Sequence, residues 1–359
     1  MQAEPASPHD DLDGEQIRRI HRIVGLAPPT LRRDDVAARG GVDLDSIMHW
    51  WRAMGFPEVD ESTVMFNAAD VDMVARLVEY LEAGLFTDEG ILRVTRLLGA
   101  SMQRIAESQV ESAVDFVDRA VEPGVDTDGD DPIVDLLGDG ALALIPMMES
   151  ALLYVWRRHL LAAIGHRLSA PMDSPDRAVG FADLSGFTKL SKQLSPDDLA
   201  SLVDAFEATA FDVASGLDAR VVKLIGDEVM FVAADLPTAA RVALILGEQL
   251  ARIPDMPPVH CGLAFGPTVN VGGDVFGNTV NLAARLTTIA RRGSVVIPRS
   301  QAVLLADQAD LTVRTMRRVQ FLKGIGDTAT SVVRLAEPPP GPDPVDPDGD
   351  PRTSEPVGA

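Results

Sequence analysis

The sequence predicts an all-α N-terminal domain followed by an α+β domain. Its 359 residues, 46% of them hydrophobic, are sufficient to bury two separate cores. Apolar residues recur at helical spacing through the first half of the chain, whereas short β-rich runs alternate with helical segments in the second half. We therefore expect a helical domain over residues 16–168, a linker over 169–177 and an α+β domain over 178–336.

Two apolar stripes and a long final helix predict the helical domain. The stripes consist of Val71, Met73, Val74, Leu77, Val78 and Leu81, and of Ile91, Val94, Leu97, Leu98, Met102 and Ile105. The final helix is expected to run from Ile145 to about Leu168, with Pro146 in its first turn, where a proline costs no helical hydrogen bond. Residues 1–15 and the acidic, Pro-rich tail 337–359 are unsuited to a packed core, so we expect disorder there.

The order of elements in the second half predicts one sheet with helices packed on one face. Strands are expected at 178–183, 220–225, 229–234, 258–266, 269–272, 294–297 and 330–335. Helices are expected at 187–194, 196–216, 236–252, 276–291 and 299–306. Gly226 and Asp227 separate two of the strand runs, which predicts a hairpin with Asp227 in its turn.

Charge and composition exclude several classes of partner. The formal net charge of −22 argues against nucleic-acid and anionic-membrane partners, because no basic surplus is present to neutralise phosphates. The single cysteine, Cys261, excludes an internal disulfide. The first residues lack the features of a signal peptide, and no apolar stretch reaches the roughly 18 residues of a transmembrane helix. We expect a cytoplasmic protein without a transmembrane segment.

Two aspartates stand where apolar strand runs give way to turns. Asp183 precedes Gly186 and Thr188, and Asp227 follows Gly226. If the two strands are neighbours, both carboxylates face one point and supply the hard oxygen ligands that suit Mg²⁺ or Mn²⁺ bridging phosphate oxygens. Each aspartate alone also fits a local role, as a helix N-cap for Asp183 and a turn residue for Asp227.

Two further pairs of residues suggest how a nucleotide is held. Asn281 and Arg285 are four apart, so both project from one face of a helix, where a guanidinium can bind the oxygens of a five-coordinate α-phosphate and an amide can position the ribose. Lys223 and Asp274 complement the N1 acceptor and N6 donor of adenine, which favours ATP over GTP. The alternatives are a surface arginine with a capping asparagine, an exposed strand lysine and a turn aspartate.

These six residues occur in the order found in class III nucleotide cyclases, and residues 178–335 resemble the catalytic domain of that family. The resemblance implies a ferredoxin-like α+β fold that converts ATP to 3′,5′-cyclic AMP and pyrophosphate by attack of the ribose 3′-hydroxyl on the α-phosphate. It also implies roles for the six residues, namely two bound Mg²⁺ or Mn²⁺ ions at Asp183 and Asp227, adenine recognition by Lys223 and Asp274, and transition-state stabilisation by Asn281 and Arg285. Lys323 matches a late lysine of the family that contacts the triphosphate.

In that family each active site lies between two chains, the metal-binding aspartates from one and the transition-state residues from the other. Because all six residues occur in this one chain, the resemblance implies a homodimer with two equivalent sites. A monomer is then expected to be inactive.

The helical half resembles the autoinhibitory domain of soluble actinobacterial class III cyclases that respond to pH. His159 and His166 lie just before the linker, and their protonation is expected to bias a helix-to-loop switch. The alternative is that both are ordinary exposed helix residues. The effector of this domain is therefore expected to be a proton or a small molecule.

Two other functions stay open at the level of sequence. One is a diguanylate cyclase, because Gly226-Asp-Glu partly matches the Gly-Gly-Asp-Glu-Phe signature of that family, although Ile225 replaces the first glycine. The other is a catalytically silent nucleotide-binding module that signals through dimerisation.

Overall fold

The structure is a computed structural model that describes residues 14–120, 132–169 and 176–336. The chain divides between Ala170 and Pro171 into two compact units. No helix in the described ranges is long and apolar enough to cross a membrane. The predicted terminal segments 1–15 and 337–359 lie almost entirely outside the described residues.

The N-terminal unit is helical, as predicted. Its helices are α1 (Gly14–Ile23), α2 (Arg33–Gly40), α3 (Leu44–Ala53), α4 (Ala68–Glu82), α5 (Asp88–Ala120) and α6 (Pro132–Ser169). Side-chain caps start two of them, since Asp43 accepts from Ser46 N and Asn67 accepts from Ala69 N. The core is small, and its fully buried members are Leu31, Val36, Ile47, Val59 and Phe66.

Two predictions for this unit were wrong in detail. Helix α6 begins at Pro132 and not at Ile145, so Pro146 lies inside the helix. An internal proline removes one backbone hydrogen bond, and the helix-forming Ala, Leu, Met and Glu residues on both sides of it continue the helix. The second apolar stripe is only partly buried, because Ile91 is 3% exposed whereas Val94 and Leu98 are 52% and 53% exposed.

The second unit is built on a seven-stranded sheet. Its strands are β1 (Asp176–Leu184), β2 (Arg220–Ile225), β3 (Glu228–Ala233), β4 (Val259–Pro267), β5 (Val269–Val271), β6 (Asp274–Phe276), β7 (Val295–Pro298), β8 (Leu311–Thr315), β9 (Gln320–Leu322), β10 (Gly326–Thr328) and β11 (Thr330–Leu335). The sheet order is β2-β3-β1-β4-β7-β11-β8, with only β4 and β7 parallel. Two small hairpins, β5–β6 and β9–β10, stand outside it.

The helices of this unit cover both faces of the sheet, which corrects the prediction of one covered face. They are α7 (Phe187–Leu190), α8 (Pro196–Gly216), α9 (Leu236–Leu250) and α10 (Asn278–Ile289), with a 3₁₀ helix at Arg299–Leu305. Alternate residues of β1 separate the faces, since Ala182 packs with α8 and α9 whereas Phe181 packs with α10. Gly262 allows the close approach of α10, because a Cβ there would lie 2.2 Å from Thr287 N.

All seven predicted strand positions are strands in the structure, and helix 196–216 has the predicted bounds. The differences lie in the short elements and at the predicted linker. The strands β6, β8, β9 and β10 were missed, helix 187–194 is a single turn over Phe187–Leu190, and 299–306 is 3₁₀ rather than α. Helix α6 reaches Ser169 and β1 begins at Asp176, so regular structure extends into the predicted linker 169–177.

Candidate active site

The two candidate metal-binding aspartates lie at the same end of strand β1. Asp183 lies near the end of β1, and Asp227 lies in the turn between β2 and β3. Leu184 N donates to Asp227 O at 3.1 Å, which holds the hairpin turn against the end of β1. The strands that precede the two aspartates, β1 and β2, are not neighbours as the sequence analysis supposed, because β3 lies between them. The turn between β2 and β3 still brings Asp227 to the end of β1.

Three carboxylates gather at this edge. Burial raises the pKa of Asp183, and Asp227 adds to this shift, whereas His260 opposes it. Burial, followed by the charges of Asp183 and Asp227, raises the pKa of Glu228 to about 7. Among the described residues no Lys or Arg forms an ion pair with any of the three. This end of the sheet therefore gathers carboxylates, and in the described ranges only His260 lies within ion-pair distance of one of them.

A serine and a histidine flank Asp183 on the other side. His260 of β4 pairs with Asp183 in the sheet register, so both side chains lie on the same face. His260 Nε2 lies 3.8 Å from Asp183 Oδ1, and His260 Nδ1 lies 2.8 Å from Ser185 Oγ. Ser185 N donates to Pro258 O at 3.0 Å. Asp183 thus lies between Glu228 on β3 and His260 on β4.

The candidate adenine-recognition residues contact each other. Lys223 Nζ lies 2.6 Å from Asp274 Oδ2 and 5.7 Å from the centre of the Phe276 ring. Asp274 Oδ1 accepts from Val275 N at 2.7 Å. Burial raises the pKa of Asp274, but the hydrogen bonds from Lys223 and Val275 outweigh it and hold this pKa below its ordinary value. The pair is therefore charged and positioned before any ligand binds.

Helix α10 carries the candidate transition-state residues on its outer side. Ala283 and Leu286 are fully buried against the sheet, whereas Asn281 and Arg285 are exposed one turn apart. Neither side chain forms a hydrogen bond or ion pair with another described residue. The structure therefore brings Asn281 and Arg285 onto one face, as predicted, and that face points away from the sheet of its own chain.

Lys323 lies apart from these groups. It is exposed in the turn between β9 and β10, where Ile325 N donates to Leu322 O at 3.0 Å. No hydrogen bond or ion pair links its side chain to the rest of the described chain. The structure does not bring Lys323 together with the other six candidates.

Three residues of this site were missed from the sequence, namely Glu228, Ser185 and His260. Glu228 directly follows Asp227, and it begins a strand that is otherwise apolar. His260 likewise interrupts the apolar run of β4 on the face that carries Gly262 and Ala264. A polar residue at the end of a buried strand is the signal that could have identified both.

Residues 12–161 match the protein family described as the adenylate cyclase regulatory domain. An adenylate cyclase of Streptomyces coelicolor is 38% identical to this chain over 302 residues, which are 82% of this chain and 77% of that protein. The chain belongs to the adenylate cyclase family. An adenylate cyclase of Glutamicibacter nicotianae is 33% identical to this cyclase over an alignment that spans 85% of this cyclase and 79% of the relative.

A pH-sensitive adenylate cyclase of Mycobacterium tuberculosis is 30% identical, covering 89% of this cyclase and 84% of that protein. These relatives confirm the family predicted from the sequence and its enzyme class, and residues 12–161 are the regulatory domain of the cyclase. They favour an adenylate cyclase over the diguanylate cyclase and over the silent nucleotide-binding module.

Solved cyclase structures match part of the chain at low identity. The guanylate cyclase domain of RhGC from Catenaria anguillulae, in complex with GTP, is 22% identical with a TM-score of 0.41 and covers 45% of this cyclase and 97% of that chain. The adenylyl cyclase CyaB from P. aeruginosa is 20% identical with a TM-score of 0.38 and covers 45% of this cyclase and 94% of that chain.

Proposed function

We propose that the cyclase converts ATP to 3′,5′-cyclic AMP at a site that holds two divalent metal ions at Asp183 and Asp227. The observation that carries this proposal is the pair of carboxylates at one end of the sheet, which have no Lys or Arg ion-pair partner in the part of the chain that the structure describes. In the described residues no cluster of three or more His, Cys, Asp or Glu side chains has metal-binding geometry. Two carboxylates completed by substrate oxygens and water are a usual donor set for Mg²⁺, so the residues fit the ion.

When bound, Mg²⁺ or Mn²⁺ would polarise the phosphate oxygens and lower the pKa of the attacking hydroxyl. The carboxylates of Asp183 and Asp227 would hold these metal ions at the edge of the sheet. The hydrogen bond from Leu184 N to Asp227 O holds the turn that carries Asp227 against the end of β1. The protein therefore supplies positioning, which is the main protein contribution in phosphoryl chemistry.

Lys223 and Asp274 recognise the adenine base. The ammonium group of Lys223 keeps donors available beyond the one that Asp274 accepts, so it can donate to adenine N1. Each Asp274 oxygen retains a lone pair that can accept from the N6 amine. Guanine presents a donor at N1 and an acceptor at O6, which both residues would disfavour. ATP is therefore the preferred substrate.

Asn281 and Arg285 act on the ribose and the α-phosphate. The guanidinium of Arg285 stabilises the negative charge that develops on the α-phosphate oxygens, and the amide of Asn281 orients the ribose. Because their side of α10 points away from its own sheet, we propose that they complete the site of a second chain in a homodimer with two equivalent sites.

The two small hairpins support the homodimer. Phe276 and Val269 of β5–β6 are 48% and 59% exposed, and Phe321 of β9–β10 is 73% exposed. Large exposed apolar side chains are typical of surfaces covered by a partner. We propose that a second copy of the chain covers these side chains, and that Lys323 beside Phe321 contacts the triphosphate.

The experiment that tests the proposed function is a product assay with ATP and GTP supplied separately, with Mg²⁺ or Mn²⁺. We expect cyclic AMP and pyrophosphate from ATP, and Asp227→Asn to abolish product at every metal concentration. The matched control, Asp307→Asn, changes an exposed aspartate of the same unit and should retain activity. Full activity of Asp227→Asn would contradict the proposal.

We propose in addition that the regulatory domain responds to pH through the last turns of α6. His159 is exposed on this helix, and His166 follows two turns later. Replacing both with glutamine in the full chain should flatten the dependence of activity on pH between about 5 and 8. An unchanged pH profile would assign any response to other residues.

A further inference from the structure

We propose that His260 and Ser185 position the Asp183 carboxylate for metal binding, an inference that rests on the proposed function. Neither residue has been assigned a role in the reaction, and both lie next to the candidate metal-binding edge. The argument rests on an array of three side chains, Ser185, His260 and Asp183, that the sheet register holds in line.

The array is fixed by the backbone on both sides. His260 lies opposite Asp183 in the ladder between β4 and β1. Ser185 is 8% exposed, and its backbone N–H donates to Pro258 O, two residues before His260. The Ser185 hydroxyl is therefore held next to the His260 imidazole, to which it is hydrogen bonded at 2.8 Å.

The chemistry of the array selects one tautomer of His260. A carboxylate only accepts hydrogen bonds, so the nitrogen nearest to Asp183 is best placed when it carries a proton. That nitrogen is Nε2, at 3.8 Å from Asp183 Oδ1. The other nitrogen, Nδ1, then accepts from the hydroxyl of Ser185. The serine thereby turns the N–H of the imidazole toward the carboxylate.

An imidazole suits this position better than a lysine or an arginine. At 3.8 Å its Nε2 makes an electrostatic contact with the carboxylate rather than a hydrogen bond, and it carries no permanent charge, so the carboxylate stays available to a cation. A permanent cation beside Asp183 would instead compete with the metal ion. Among the described residues, Asp183 has no ion pair with Lys or Arg, which agrees with this role.

The test measures Mn²⁺ binding by the full chain in the presence of 3′-deoxy-ATP, which lacks the attacking hydroxyl, with electron paramagnetic resonance as the readout. The amide of Gln can replace Nε2, whereas the amide of Asn replaces only Nδ1. We therefore expect His260→Asn to weaken Mn²⁺ binding by about 10- to 100-fold and His260→Gln to retain most of it. Ser185→Ala should give an intermediate loss, and His49→Gln, a change at an exposed histidine, should give none.

The remaining outcomes separate this inference from the proposed function. Wild-type Mn²⁺ affinity in His260→Asn, together with lost affinity in Asp183→Asn, would overturn the positioning role and leave the metal site in place. Equal losses in His260→Gln and His260→Asn would overturn it as well, since packing alone would then explain the effect. Wild-type affinity in Asp183→Asn would overturn both the metal site and the inference.

Discussion

The two halves of the candidate active site differ in how far their own chain surrounds them. Asp183 lies between Glu228 and His260 in the sheet and is partly buried, with its neighbours fixed by backbone hydrogen bonds. Asn281 and Arg285 stand exposed on α10, and neither has a polar partner in the described ranges. The metal half is prepared within one chain, whereas the transition-state half presents its donors outward. This difference is what a site shared between two chains requires.

The largest expected effect on activity comes from Arg285, in the half of the candidate site that faces away from its own sheet. Arg285→Ala should lower kcat by about 10²- to 10³-fold, because a preorganised donor to the transition state is lost. The KM for ATP should change little, since the donor acts mainly on charge that develops during the reaction. Steady-state kinetics would measure both. A control change at an exposed arginine of α9's end, Arg252→Ala, should leave both constants unaltered. A rise in KM alone would place Arg285 in substrate binding.

The packing of α10 on the sheet joins the two halves within a chain. A Cβ at residue 262 would lie 2.2 Å from Thr287 N and 2.4 Å from Ala283 O, so Gly262→Ala must displace the helix. We expect a loss of about 1–3 kcal/mol in the free energy of unfolding. Gly272→Ala serves as the steric control, because a Cβ there meets no neighbour, although its φ of 59° adds some strain. Denaturant unfolding followed by circular dichroism would compare the two, and equal losses would contradict the close packing.

Lys223 and Asp274, the candidate base-recognition pair, resemble the metal half because contacts within their own chain already position them. Lys223→Ala removes the proposed donor to adenine N1 and leaves Asp274 without its 2.6 Å partner. The ratio of kcat/KM for ATP to that for GTP should fall roughly 10-fold, which corresponds to one lost polar contact to a base. Arg314→Ala, at an exposed arginine of β8, should leave this ratio intact. An unchanged ratio in Lys223→Ala would assign specificity elsewhere.

The smallest expected effect comes from the crowded carboxylates. Because burial raises the pKa of Glu228 from 4.5 to about 7, the folded state binds more protons than the unfolded state between these values. Without divalent metal, this group therefore reduces stability as the pH rises from 4.5 to 7. Glu228→Gln should lose that contribution, so its melting temperature should fall less than that of the wild type between pH 5 and pH 8. Glu248→Gln, at an exposed carboxyl, should behave like the wild type.

The positions of the two candidate metal-binding aspartates were predicted from the sequence more completely than the residues and elements that surround them. Ser195 as a cap and Pro196 in the first turn define the start of α8, and Gly226 marks the hairpin that holds Asp227. These signals are local, so they can be identified without a structure. The pairing of Lys223 with Asp274 was inferred only from their shared ligand.

Other features depend on contacts between distant segments. The packing of α10 on the second face of the sheet follows from Gly262 and Ala283, which adjoin only after the strands align. The three-residue strands β6, β9 and β10 are too short to show an alternating pattern. His260 acquires its role from the register with Asp183, which no local pattern specifies.

The most direct test of the shared site mixes two inactive variants of the full chain, Asp227→Ala and Arg285→Ala. In a mixed dimer one site receives Asp227 from one chain and Arg285 from the other, and the second site lacks both. Random pairing should therefore restore about one quarter of the wild-type cyclic AMP formation. No recovery, under conditions in which differently tagged chains are shown to form mixed dimers, would contradict a site built from two chains.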